Sequence, residues 1–237
     1  MIDFPNAAFY QYKLITFPSP EFGRGAEGVR FVYVPDGVYD RGKSRTNRRE
    51  ARTVAEAVWK HLRDHGSHRS LGVIAFSQAQ ELAIRDELRL REKQDPVVAP
   101  LLREDAQENL EHFFVRSLEN VQGDERDSII LSVGYGRDVN RTVALNLGPI
   151  TQTGGERRLN VAFTRARSQL TVFASVQPED LDLTRLNREN LGAKTLQDYL
   201  YYARWAQPGQ RRSDGAGGGL TIRRFRRGRA AGSRPGH

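Results

Sequence analysis

Short apolar runs alternate with longer segments of helical period along most of this chain, and that alternation constrains its fold more than any other feature. Residues 29–34 form an apolar run bounded by Gly28 and Pro35, which predicts a buried strand. From about 47 to 65 the period lengthens. Val54, Val58 and Leu62 stand four apart and Gly66 closes the segment, which predicts a helix. Residues 71–76 read as a second buried strand and 78–93 as a second helix. Residues 96–109 are ambiguous and helical in part. Strands follow near 112–118 and 128–134, then a hairpin or excursion through 136–153. An arginine-rich helix over 157–167, a strand over 170–176 and a last helix over 196–205 complete the series. Such alternation predicts a three-layer α/β domain with a mostly parallel sheet.

The arginine-rich segment reads RRLNVAFTRAR. Leu159, Val161, Ala162, Phe163 and Ala166 anchor it, while Arg157, Arg158, Arg165 and Arg167 stand among them. Guanidinium groups held by a core match anionic oxygens and stay charged when partly buried. On composition alone, a solvated basic helix face is an equal reading. Upstream, QGDERD occupies the polar turn between the two strands near 112–118 and 128–134, at the strand ends where open α/β sheets place ligands.

Composition excludes several classes. With no cysteine the chain has no disulfide, thiolate metal site or thiol nucleophile. His61, His65 and His68 lie in a polar segment ending at Gly66 and read as surface residues, so no metal site is expected. No apolar run approaches the roughly 20 residues of a membrane span. Met1 is followed by no basic start and apolar core of a signal peptide, so a cytoplasmic protein without a membrane partner is expected.

The net charge of +8 is unevenly spread. Residues 207–237 carry eight arginines against one aspartate, which leaves 29 basic and 28 acidic residues in 1–206. Eight glycines and two prolines also fall in that final stretch, which predicts a disordered basic tail. The domain division is therefore 1–206 folded and 207–237 tail. The cluster LTIRRFRRGR at 220–229 is suited to neutralising phosphates, or is simply a solvated terminus.

Residues 37–44, GVYDRGKS, satisfy the phosphate-loop pattern GxxxxGK[ST]. Lys43 would then reach nucleotide phosphates, and the chain would be a self-sufficient NTPase. Against this, Pro35 and Asp36 separate strand from loop, Asp40 puts a carboxylate beside the phosphates, and Arg45, Asn47, Arg48 and Arg49 replace an apolar helix start. No apolar strand ends in paired acids to hold magnesium.

QGDERD followed by RRLNVAFTRAR resembles two consecutive motifs of superfamily 1 helicases, of the upframeshift-like branch. LGVIAFSQAQ at 71–80 and FPNAAFYQYKL at 4–14 resemble two further segments of that branch, in its order. Ser44, Asn47, Glu50 and Ala51 match its SxxNxxEA helix start. The longer link SVGYGRD…LGPITQTGG is similar to that of large bacterial multidomain helicases of the branch.

The resemblance implies a RecA-like domain, the second of the two in a helicase motor, and 5′-to-3′ movement. The Walker lysine and magnesium carboxylates would then lie in a first RecA-like domain of the same parent protein, so this chain would be a fragment or a natural truncation. ATP and Mg2+, held mainly by that first domain, are the implied cofactors, and single-stranded DNA or RNA the implied partner. By the same resemblance Arg165 is the catalytic finger on the γ-phosphate. Gln122, Gly123, Glu125 and Arg158 complete the ATP-binding set, with Glu125 on the ribose hydroxyls. Phe76, Ser77, Gln80 and Ser117 would contact nucleic acid on the opposite edge. Asn6 and Tyr10 would hold the interdomain edge, and Arg167 would be a surface charge. The isolated chain is expected to hydrolyse no ATP. Beside the NTPase centred on Lys43, a non-enzymatic binder acting through the basic tail is the other reading.

Overall fold

The computed structural model of the chain describes residues 28–102, 111–121, 123–186 and 190–206. Asn6, Tyr10, Gln122 and the whole tail 207–237 lie outside the described residues. Five strands form one sheet: β1 (Gly28–Tyr33), β2 (Leu71–Ala75), β3 (Phe114–Ser117), β4 (Arg126–Gly136) and β5 (Ala166–Ser175). Their order is β1-β5-β4-β2-β3, and every neighbouring pair is parallel. Among the described residues four α-helices accompany them: α1 (Arg48–His65), α2 (Gln78–Glu92), α3 (Gly155–Phe163) and α4 (Leu191–Trp205). Among the described residues no helix is long and apolar enough to cross a membrane.

Side chains alternate across the strands, so each face of the sheet has its own core. Ile74, Ile129, Leu131 and Val172 face α3 and α4 together with Leu159, Phe163, Leu196 and Tyr199. Val73, Ala75, Ile130 and Phe173 face α1 and α2 together with Val54, Val58 and Ile84. This is the expected three-layer RecA-like arrangement, with Phe163 and Tyr199 stacked at 3.6 Å between ring centroids.

The predicted elements are present with small shifts at their ends. Asn47 caps α1 by accepting a hydrogen bond from the Glu50 amide at 3.0 Å, and Gly66 closes it with φ of 56°. Of the ambiguous segment 96–109, residues Ala99–Leu102 form a 3-10 turn, and 103–110 lie outside the described residues. Residues 136–153 are an excursion that sends Leu145, Leu147 and Ile150 into the core. The carbonyl of Ile150 lies so close to Gly155 and Gly192 that a Cβ at either would strike it. Those two glycines let α3 and α4 begin side by side.

One element departs from expectation. RRLNVAFTRAR is not a single helix: α3 ends at Phe163 and β5 begins at Ala166. The side chain of Thr164 turns back to accept the role of a cap, its hydroxyl donating to the carbonyls of Asn160 and Val161 at 3.1 and 3.0 Å. Arg165 Nε donates to the Val161 carbonyl at 3.1 Å. These bonds satisfy carbonyls that a continued helix would have used, and they leave Arg165 in the turn between helix and strand.

Candidate functional site

Parallel register fixes what stands beside Arg165. Arg126 is paired with Ala166, and the Arg126 amide donates to the Arg165 carbonyl at 3.0 Å. The residues just before the two strands, Glu125 and Arg165, are therefore neighbours at the amino edge of the sheet. Glu125 is exposed and Arg165 partly so. Among the described residues no carboxylate pairs with Arg165, whose Nη groups stay available once Nε has capped α3. The chain reaches this edge from the carboxyl end of β3 through Gly123, at φ of 83°, so the turn starts at one edge and ends at the other. The expectation that this whole turn follows the carboxyl-end rule is thus corrected: Glu125 and Arg165 lie at amino ends.

Two neighbours of this pair are structural. Arg126, a buried residue that no sequence signal singled out, lies 4.9 Å over the Phe114 ring and donates to the carbonyls of His112 and Glu125 at 2.9 and 2.8 Å. Arg167 pairs with Glu111 and Asp127, and its guanidinium holds the Glu111 carboxyl below the usual range. That matches its reading as a surface charge. Arg158 is not brought to Arg165. It sits in the first turn of α3, seven residues or about 10 Å of helix away, and donates to the carbonyls of Pro149 and Thr153 at 3.1 and 3.2 Å. Its guanidinium braces the excursion.

At the carboxyl edge of the sheet a buried polar knot joins two strands, β4 and β5, to two helices. Glu50, fully buried, accepts from Ser132 Oγ and the Gly134 amide, both at 2.7 Å, and from Ser175 Oγ at 2.9 Å. Asn47 Nδ2 donates to Ser175 Oγ at 2.8 Å, and the Asn47 amide donates to Gln80 Oε1 at 2.8 Å. Gln80 Nε2 in turn donates to the Asn47 carbonyl and Ser132 Oγ, both at 3.2 Å. Burial pushes the Glu50 carboxyl up to about 7 despite those three donors. The SxxNxxEA match was the one sequence signal for this knot, and the spacing alone did not disclose that Asn47 and Glu50 meet Gln80.

The knot bears on the four residues expected to meet nucleic acid. Phe76 has no exposed surface and packs in the core, so a base cannot stack on it; that expectation is corrected. Gln80 is likewise buried, its amide committed to Asn47 and Ser132, which removes it as a direct contact. Ser77 is partly exposed and caps α2, its Oγ accepting from the Gln80 amide at 3.2 Å. Ser117 ends β3, buried, with a hydroxyl that has no hydrogen-bond partner among the described residues. An orphaned buried hydroxyl is costly enough to require an explanation.

The loop after β1 does not have the geometry of a nucleotide phosphate loop. A phosphate loop runs straight into its helix, whose first amides cradle the anion. Here α1 starts four residues beyond Ser44, at Arg48. The Ser44 amide and hydroxyl are already bound to the Asp40 carboxylate at 3.1 and 2.9 Å. The first of these bonds, then the second, holds the Asp40 carboxyl below the usual range. The described residues contain no cluster of acids and histidines suited to a metal ion.

Comparison with known proteins gives this arrangement a family. A family model described as an AAA domain (AAA_12) matches residues 1–177. The chain is 38% identical over 208 residues to the protein named uncharacterized ATP-dependent helicase MG140 of Mycoplasma genitalium. It is 37% identical over 205 residues to the homolog of that protein in Mycoplasma pneumoniae. Each alignment covers 85% of this chain and 17% of the relative, so the chain spans about a sixth of their length. With three quarters of its residues matched, the chain belongs to the AAA_12 family of AAA domains.

Proposed function

We propose that this chain is the second motor domain of an ATP-dependent superfamily 1 helicase of the upframeshift-like branch, working in the cytoplasm on single-stranded DNA or RNA. The observation that carries the reading is the Arg126–Ala166 register pair, which sets Glu125 beside Arg165 at one edge of the sheet. A first RecA-like domain of the same parent protein closes on that edge with ATP and Mg2+ between them. Arg165 extends its free Nη groups to the γ-phosphate and stabilises charge as the phosphoryl group leaves. Glu125 accepts from the ribose hydroxyls, while Gln122 and Gly123 shape the turn that leads from the nucleotide to the strand. Ser77 meets the strand at the other edge, with the buried, unsatisfied hydroxyl of Ser117 behind it. The two relatives are named ATP-dependent helicases, which supports the helicase part of this reading.

The test is Arg165→Ala in a protein that joins this chain to its first motor domain. Finger arginines are worth roughly 10³ to 10⁵ in rate, so hydrolysis should fall by at least about a thousandfold while strand affinity holds. Hydrolysis at the wild-type rate in that variant would remove Arg165 from the site.

A further inference from the structure

We propose that residues 41–48, the loop between β1 and α1, form a rigid clamp for the phosphate backbone of a single strand. This rests on the helicase reading and adds to it a contact surface on the carboxyl edge.

Charge is the first argument. Arg41, Lys43, Arg45 and Arg48 are all exposed, and none has an ion-pair partner among the described residues. The nearby acids are already engaged. Asp36 pairs with Arg49 at 3.3 Å, Asp40 accepts from Ser44, and Glu50 is buried in the polar knot. Asp40 offsets one of these charges, and the four cations within eight residues keep a net positive charge that a bound anion would relieve.

Rigidity is the second. A solvated basic loop has no need of fixed geometry, yet this one is closed at both levels. The Asp40 amide donates to the Thr46 carbonyl at 2.9 Å and the Arg45 amide to the Asp40 carbonyl at 2.8 Å. Ser44 and Thr46 hydroxyls meet at 2.8 Å inside the ring. This closure holds Arg45 at φ of 55°, a left-handed conformation that a long side chain rarely adopts. The left-handed backbone at Arg45 sets the direction in which this exposed side chain leaves the loop.

Placement is the third. The bond from the Asn47 amide to Gln80 ties the start of α1 to the start of α2, so the loop shares an edge with Ser77 and, across β2, with Ser117. Both helices also direct their positive ends there. Arg165 and Glu125 lie on the opposite edge, too far to share one nucleotide with this loop. The phosphates it meets therefore belong to a strand, and the phosphate-loop look-alike GVYDRGKS has a use that requires no nucleotide.

Each phosphate neutralised on a single strand contributes about −0.7 to the slope of log affinity against log salt. The full 237-residue chain is titrated with fluorescently labelled oligothymidylate across a salt series. The triple variant Lys43→Gln, Arg45→Gly, Arg48→Gln is compared with a charge-matched control, Lys60→Gln, Arg63→Gln, Lys93→Gln, near the opposite ends of α1 and α2. Arg41→Gln with Arg48→Gln is a second loop variant that leaves the strained residue untouched. The clamp requires a slope shallower by about 2 in the triple variant, by about 1 in the double and unchanged in the control. An unchanged slope in both loop variants, or an equal loss in the control, overturns the clamp and leaves the helicase reading standing. A wild-type chain that binds no strand at low salt contradicts both.

Discussion

Glu50 is the residue whose chemistry differs most from its ordinary behaviour. Its carboxyl titrates near 4.5 in an exposed setting and is pushed up to about 7 by complete burial. The folded protein therefore binds a proton that the unfolded chain gives up between those values, and stability falls as pH rises through that window. The full penalty above pH 7 is about 3 kcal/mol. Denaturant titrations of Glu50→Gln should show a flatter stability profile between about pH 5 and 8 than the wild type, whose stability declines. Parallel profiles for the two proteins would place the titration elsewhere. Site residues differed in how far sequence could reach them. Arg165 and Glu125 each stand in a contiguous motif, and register makes them neighbours. Phe76 and Gln80 were misassigned because an aromatic and an amide after a strand look alike whether they face a groove or a core. Only the contacts of Gln80 with Asn47, 33 positions earlier in the chain, decide the matter.

Strands and helices were legible in proportion to how local their cause is. Buried parallel strands read as unbroken apolar runs, and α1 announced itself through its period, its Asn47 cap and Gly66. The end of α3 was hidden because Arg and Ala favour helix, whereas the Thr164 hydroxyl and Arg165 Nε finish it through their own bonds to the preceding turn. The excursion 136–153 was expected but its shape was not legible, because that depends on Ile150 meeting two glycines from separate helices. That contact makes a prediction at this scale. Gly192→Ala would gain helix propensity of about 1 kcal/mol, yet its Cβ runs into the Ile150 carbonyl. Net destabilisation of about 1–3 kcal/mol is expected, read as a lower thermal midpoint. A raised midpoint would mean that α4 begins farther from the excursion.

On the proposed reading, the domain separates two kinds of anion chemistry by the length of its strands. The amino edge presents Arg165 and Glu125, and the carboxyl edge presents hydroxyls, helix starts and the basic loop. On the same proposed reading, ATP turnover is a property of two domains in which Lys43 has no part. The most direct test is hydrolysis of ATP by the 237-residue chain, with and without single-stranded DNA, beside its Lys43→Ala variant. Half of a two-domain motor predicts no turnover in either protein under either condition. Strand-stimulated turnover that Lys43→Ala abolishes would contradict the account, because the loop after β1 would then be a nucleotide site and the chain a motor by itself.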